Sequence, residues 1–206
     1  MEGKETSRLE AFSDGVIAIA ITLLVLEIKV PSELPEGTSL WTALGKQWPS
    51  YLALVTSFVI ILIMWINHHR MFTHIWRTDT MLFLLNGGLL LGITILPFTT
   101  GLVAEYLQKP DAEVAAIVYN GNHILTALFF SLTWSYASRK TRLLNPQADP
   151  AAVKAITRQF RYGIPAYVII LLIALINFPV SLLLNIGMAV YFAFPSKRSR
   201  ESEETV

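Results

Sequence analysis

Charged side chains are missing from long stretches of this sequence and crowded into the short ones between them. Uncharged windows run over 47–67, 80–104, 114–138 and 162–196, and an apolar stretch over 11–26 is interrupted only by Asp14. About 20 mostly apolar residues make a helix that crosses the hydrocarbon core of a bilayer. The last window, taken as one helix, would extend about 52 Å against a core of about 30 Å. Asn177-Phe178-Pro179 lies near its middle, and proline removes a helix hydrogen bond, so two helices joined by a tight turn are predicted there. The pattern thus predicts an all-α integral membrane protein. Six transmembrane helices per chain are expected, at about 9–30, 48–70, 79–104, 113–138, 160–177 and 179–195, in a single domain over 1–206.

The connecting segments carry their own signals. The stretch from Pro31 to Trp48 contains Pro31, Pro35 and Gly37, which predicts little regular structure. Asp149-Pro150 reads as an N-cap followed by proline at the first helical position. It opens a short basic helix, about 150–161, that runs into the fifth span and holds the chain at an anionic inner leaflet. The polar residues 196–206 read as a disordered cytoplasmic tail. Six crossings put both termini on one side. That side collects 13 of the 16 Lys and Arg residues and leaves Lys29, Lys46 and Lys109 on the other. Such an excess marks the cytoplasmic face, so both termini are expected there. The first apolar stretch does not read as a cleavable signal, because Asp14 interrupts it and no small-residue cleavage site follows.

Composition narrows the function. Hydrophobic residues make up 53% and charged residues 15%, against about 25% charged in soluble domains, and mean hydropathy is +0.51. A net charge of +1 excludes a globally basic nucleic-acid binder. The absence of cysteine excludes disulfides, thiolate metal sites and cysteine nucleophiles. No aqueous segment is large enough for a soluble catalytic domain, and Ser13 and Asp14 lack a nucleophile–base partner set. No enzyme activity, catalytic residue or cofactor is expected. His68, His69 and His74 with Asp79 do not follow the H-E-x-x-H spacing, so no metal site is expected either.

The first span carries the sharpest signal. An acidic residue inside a membrane helix is costly and usually functional. In helical projection Phe12, Gly15, Ile19, Thr22, Leu23 and Leu26 fall within roughly a 100° arc, with Asp14 about 130° from its centre. Read alone, such a stripe faces lipid, packs on neighbours or lines a pore. Asp14 needs partners, and His68, His69 and Asn86 are the candidates for a supporting network near the cytoplasmic ends of spans two and three. That network either couples the first helix to its support or only locks the fold.

Arg8-x-x-x-Phe12-Ser13-Asp14 resembles the R-x-x-x-F-S-D signature of the TMEM175 family of potassium channels. Trp65-x-Asn67-His68-His69-Arg70, and Asn86 with Leu96-Pro97-Phe98, are similar to the family's pattern as well. The resemblance is to the prokaryotic kind, with one six-span unit per chain. It implies a homotetramer in the plasma membrane of a prokaryote, multi-pass and in contact with membrane lipid. The central pore would be lined by four copies of span one. It implies a constriction at Ile19, Leu23 and Leu26, with Thr22 as a threonine layer, and K+ as the permeant ion. The T-V-G-Y-G filter is absent. Aliphatic side chains cannot replace an ion's water shell, so such a ring narrows and dries the pore. Potassium holds water less tightly than sodium and is favoured there. The expected function is passive, potassium-selective conduction. A proton or non-selective monovalent cation channel, or a secondary transporter built around the Pro179 break, are the alternatives.

Overall fold

Apolar stretches this long bury their backbone hydrogen bonds within themselves, and the protein is all-helical. The computed structural model describes residues 5–32 and 36–193. Among these the helices are α1 (Ser7–Leu23), α2 (Leu40–Lys46), α3 (Trp48–His74), α4 (Thr80–Tyr106), α5 (Ala112–Ser138), α6 (Pro150–Ala174) and α7 (Phe178–Ala193). Side-chain caps fix several starts. Asp79 accepts from the Leu82 N–H at 2.9 Å, and Asp149 from the N–H groups of Ala151 and Ala152. Each carboxylate satisfies donors that the first turn leaves without a helical partner.

The expectation of six transmembrane helices is overturned. Among the described residues four helices are long and apolar enough to cross a membrane: Ser7–Glu27, Trp48–His74, Thr80–Tyr106 and Ala112–Thr141. Two effects lower the count. Asp149 and Pro150 start α6 so early that its first turns carry Lys154, Arg158 and Arg161 on one continuous 25-residue helix. After the break at Asn177, whose side chain accepts from Val180 N–H, α7 keeps 16 residues. That is about 24 Å, shorter than the hydrocarbon core. The chain is a multi-pass helical membrane protein in which α6 is half aqueous and α7 is short.

Other local expectations also change. The first helix, expected over 9–30, leaves α geometry at Leu23, tightens to a 3-10 turn over Leu24–Glu27 and becomes extended at Ile28. The segment expected to hold little structure contains α2, capped by the Ser39 hydroxyl on Thr42 N–H; its Pro35 lies outside the described residues, as does the 196–206 tail.

The core forms where α4 meets α5 and α3. Ile61, Phe72, Leu89, Ile93, Leu96 and Trp134 are fully or almost fully buried. Small residues set the α4–α5 spacing: a Cβ on Gly92 would stand 2.5 Å from Thr126 Oγ1, and one on Gly88 would meet the Phe129 ring. Asn122 crosses the same seam to donate to the Gly92 carbonyl at 3.0 Å. At one end of the bundle the α3–α4 and α5–α6 connections pair through an Ile75–Leu144 bridge. Trp76 N–H donates to the Leu143 carbonyl at 2.8 Å, and Asn145 N–H to His74 at 2.9 Å.

Candidate functional site

Helix α1 has two unlike sides. Leu9, Ser13, Ile17, Ala20 and Leu24 are buried, spaced three and four apart as one helix face requires. They pack against α3 and α4. The other side holds Phe12, Gly15, Ile19, Thr22, Leu23 and Leu26, all exposed in the single chain. Ile19 is 61% and Leu26 70% exposed. The Thr22 hydroxyl donates to the Ile19 carbonyl of its own helix at 2.8 Å. Arg8 lies on the exposed side of the first turn.

Behind that face runs a directed chain of hydrogen bonds. His68 Nε2–H donates to Asn86 Oδ1 at 2.9 Å, Asn86 Nδ2 donates to Ser13 Oγ at 2.9 Å, and Ser13 donates to the Leu9 carbonyl at 2.8 Å. All three side chains are buried. This assigns His68 the Nε2–H tautomer, the arrangement that satisfies every member. His68 is further held by stacking on Phe72, with ring centroids 4.4 Å apart. Helices α1, α3 and α4 are thereby joined where α1 carries no long side chain.

Asp14 does not join this chain. Its Oδ1 accepts from Trp65 Nε1–H at 2.8 Å, and the Trp65 ring stacks on that of His69 with centroids 6.1 Å apart. Asp14 and His69 are both exposed in the single chain. The residues expected to support Asp14 therefore divide: His68 and Asn86 serve Ser13, while His69 stands behind the tryptophan that binds Asp14. Ser13 reaches Asn86 because it lies on the buried face, one position and about 100° from Asp14.

Two further connections were not anticipated. Asn67 donates to the Phe192 carbonyl at 3.2 Å, and Gln159 reaches the same carbonyl at 3.3 Å, tying α3 and α6 to the end of α7. Asp79 accepts from Tyr136 at 2.6 Å and from Arg142 at 3.1 Å in addition to its cap. Burial raises the Asp79 pKa, but the bonds from Tyr136 and Leu82 and the charge of Arg142 outweigh it and hold the carboxyl below its ordinary value. Nothing in the spacing of these residues announces such pairs, which depend on how distant helices meet. On α5, Asn120 accepts from Asn185 Nδ2 of α7 at 2.9 Å, while His123 bonds within its own helix, to the Tyr119 carbonyl.

Comparisons with known proteins match this geometry to one group. The profile of the family described as "Endosomal/lysosomal potassium channel TMEM175" matches residues 8–97. A potassium channel of Chamaesiphon minutus is 48% identical over 95% of this chain and 97% of its own length. A potassium channel of Streptomyces collinus is 42% identical over 92% of each chain. Among solved structures, the crystal structure of a lysosomal potassium-selective channel TMEM175 homolog from Chamaesiphon minutus superimposes with a TM-score of 0.83 at 46% identity. That alignment covers 92% of this chain and 96% of the other.

Proposed function

The chain belongs to the TMEM175 family, and we propose that, as a potassium channel, it conducts passively through a pore formed where the exposed faces of α1 from four copies meet. The family is one of ion channels, not an enzyme class. The observation that carries the reading is the position of Ile19, Thr22, Leu23 and Leu26. They follow the Arg8–Asp14 segment and stand on the side of the first helix that the rest of the chain leaves exposed.

In a homotetramer, four Ile19 side chains form the narrowest ring, with Leu23 and Leu26 extending it. Such a ring excludes bulk water and gates by dewetting. An ion passes only with a thinned hydration shell, which disfavours sodium because sodium holds its water more tightly. The Thr22 hydroxyl, next to the ring, offers an oxygen that replaces part of the lost water. Ser13, Asn86 and His68 fix the rotation of α1 about its axis. Asp14 stands beside this support, held by Trp65. With four membrane-length helices, an even number, the residues before α1 and those after α5 share one side, which still collects 13 of the 16 Lys and Arg; that side is read as the cytoplasm of a prokaryotic cell.

The test is ion flux into liposomes with the purified chain, driven in turn by potassium, sodium and proton gradients. Potassium flux that exceeds sodium flux and saturates at no fixed stoichiometry supports a pore. Proton flux without potassium flux would move the reading to a proton channel. Flux coupled at fixed stoichiometry to a second solute would move it to a transporter. Native mass measurement in detergent tests the tetramer.

A further inference from the structure

We propose that the cleft at the Arg77 end of the bundle binds a phosphate-bearing anion, supplied by an anionic phospholipid headgroup or by a soluble phosphate. The cleft has a volume of about 580 Å³, within the range of small-molecule sites. Arg77, Arg142 and Lys154 line it, with Asn145 and Thr157 adding polar atoms.

The cations come from three segments and are held differently. Arg77 and Arg142 are brought side by side by the paired connections: Trp76 and Arg77 N–H both donate to the Leu143 carbonyl, at 2.8 and 3.2 Å. Arg142 is preset. One Nη2–H is on Asp79 at 3.1 Å and its guanidinium lies 5.7 Å over the Tyr136 ring, leaving other N–H groups to a ligand. Lys154 is exposed on the second turn of α6. Two consecutive non-glycine residues, Lys140 at φ 57° and Thr141 at φ 53°, take the left-handed conformation to turn the chain into Arg142. Such backbone is uncommon for non-glycine residues and concentrates at functional sites.

Asp79 offsets part of the Arg142 charge, but among the described residues no carboxylate lines the cleft itself. Asp79 accepts from Tyr136, Arg142 and Leu82, and Asp149 from Ala151 and Ala152. Three cations around a cleft whose other walls are largely apolar fit a phosphate monoester or diester, to which arginine gives paired N–H donors and lysine a point charge. The place also matters. The same 75–78 segment holds the start of α1: Glu5 N–H donates to the Trp76 carbonyl at 3.2 Å, and Thr78 N–H to the Glu5 carboxylate at 3.0 Å. An anion in the cleft bears on the segment that anchors α1.

Thermal unfolding of the full chain in neutral detergent decides the matter. One arm adds phosphatidylglycerol against phosphatidylcholine. The other adds inorganic phosphate against chloride at equal ionic strength. Each is run on the parent, on Arg77→Gln/Lys154→Gln, and on Lys154→Gln alone, whose exposed position leaves the fold intact. A rise in Tm of about 2–4 °C in the parent, lost in the double variant and reduced in the single one, supports the site. A rise with lipid alone assigns the headgroup, a rise with phosphate alone assigns a soluble ligand, and both assign the shared chemistry. No rise in the parent, or an equal rise in the variants, overturns the proposal. This readout needs no ion conduction, so its failure leaves the channel reading untouched.

Discussion

Helices α1 and α4 are equally apolar and α5 is less so, yet α1 is the one left open while α4 and α5 close on each other. In the most apolar window of α1 28% of residues are buried inside the chain, against 44% in those of α4 and α5. The α4–α5 seam is closed by glycines and crossed by Asn122, so nothing more fits into it. Helix α1 offers one narrow face to the bundle, fixed by Ser13 and small or aliphatic neighbours, and leaves Ile19 and Leu26 uncovered. In a membrane, hydrophobicity does not decide which side faces inward, because lipid is as apolar as leucine. Close packing and buried hydrogen bonds decide it. The α4–α5 pair is therefore scaffold, and α1 keeps one side uncovered, the side proposed to meet other copies.

The contrast can be broken at several points. The largest effect is expected at the seam: Gly92→Val forces its Cβ onto Thr126, 2.5 Å away, and displaces Asn122. A loss of about 3 kcal/mol or more, or failure to yield folded protein, should appear in detergent thermal unfolding. Next, Asn86→Leu leaves His68 and Ser13 without their partner. A cost of about 1–3 kcal/mol is expected, and a double-mutant cycle with Ser13→Ala should be clearly non-additive. On the exposed face the fold should not move, but conduction should. Ile19→Ser wets the ring and should raise liposome flux on the order of tenfold, with an unchanged Tm. Flux equal to the parent's would remove Ile19 from the constriction. Thr22→Ala should lower the potassium-to-sodium ratio by only a few-fold, since one weak oxygen is lost per chain; reversal potentials measure it.

The smallest effect is expected at Asp79. Its carboxyl titrates below its ordinary value in the folded chain. Its contribution to stability is therefore present above about pH 4 and lost as pH falls through the lowered folded value. Asp79→Asn should flatten the acid limb of the stability–pH curve by less than about 1 kcal/mol, because the site is partly solvated.

Much of this was legible in the sequence, and the failures share a cause. The helical membrane class followed from where charge was missing. The grouping of Phe12, Ile19 and Thr22 on one side of α1 followed from a fixed 100° step, whereas Leu26 lies in the 3-10 turn beyond it. The number of membrane-length helices did not follow. The capped basic helix from Pro150 into the fifth span was legible, but its consequence was not: Lys154, Arg158 and Arg161 lie on the same helix as the apolar window, and the break at Asn177 leaves α7 only 16 residues. Partner identity did not follow either: Asp14 was expected to reach His68, His69 or Asn86, and it meets Trp65 while Ser13 takes Asn86. A projection gives the direction of a side chain, not which neighbour stands there or at what depth.

By itself the chain's order of residues determined where the long apolar helices lie, which side of α1 is aliphatic and where the positive charge collects along the chain, because these depend on steps of one to four residues along a backbone with few choices. Only the tertiary structure decided which helix is packed and which left open, who bonds to Ser13 and to Asp14, and how Arg77, Arg142 and Lys154 come to line one cleft. Those outcomes depend on crossing helices far apart in sequence, where a shift of about 1 Å changes the partner.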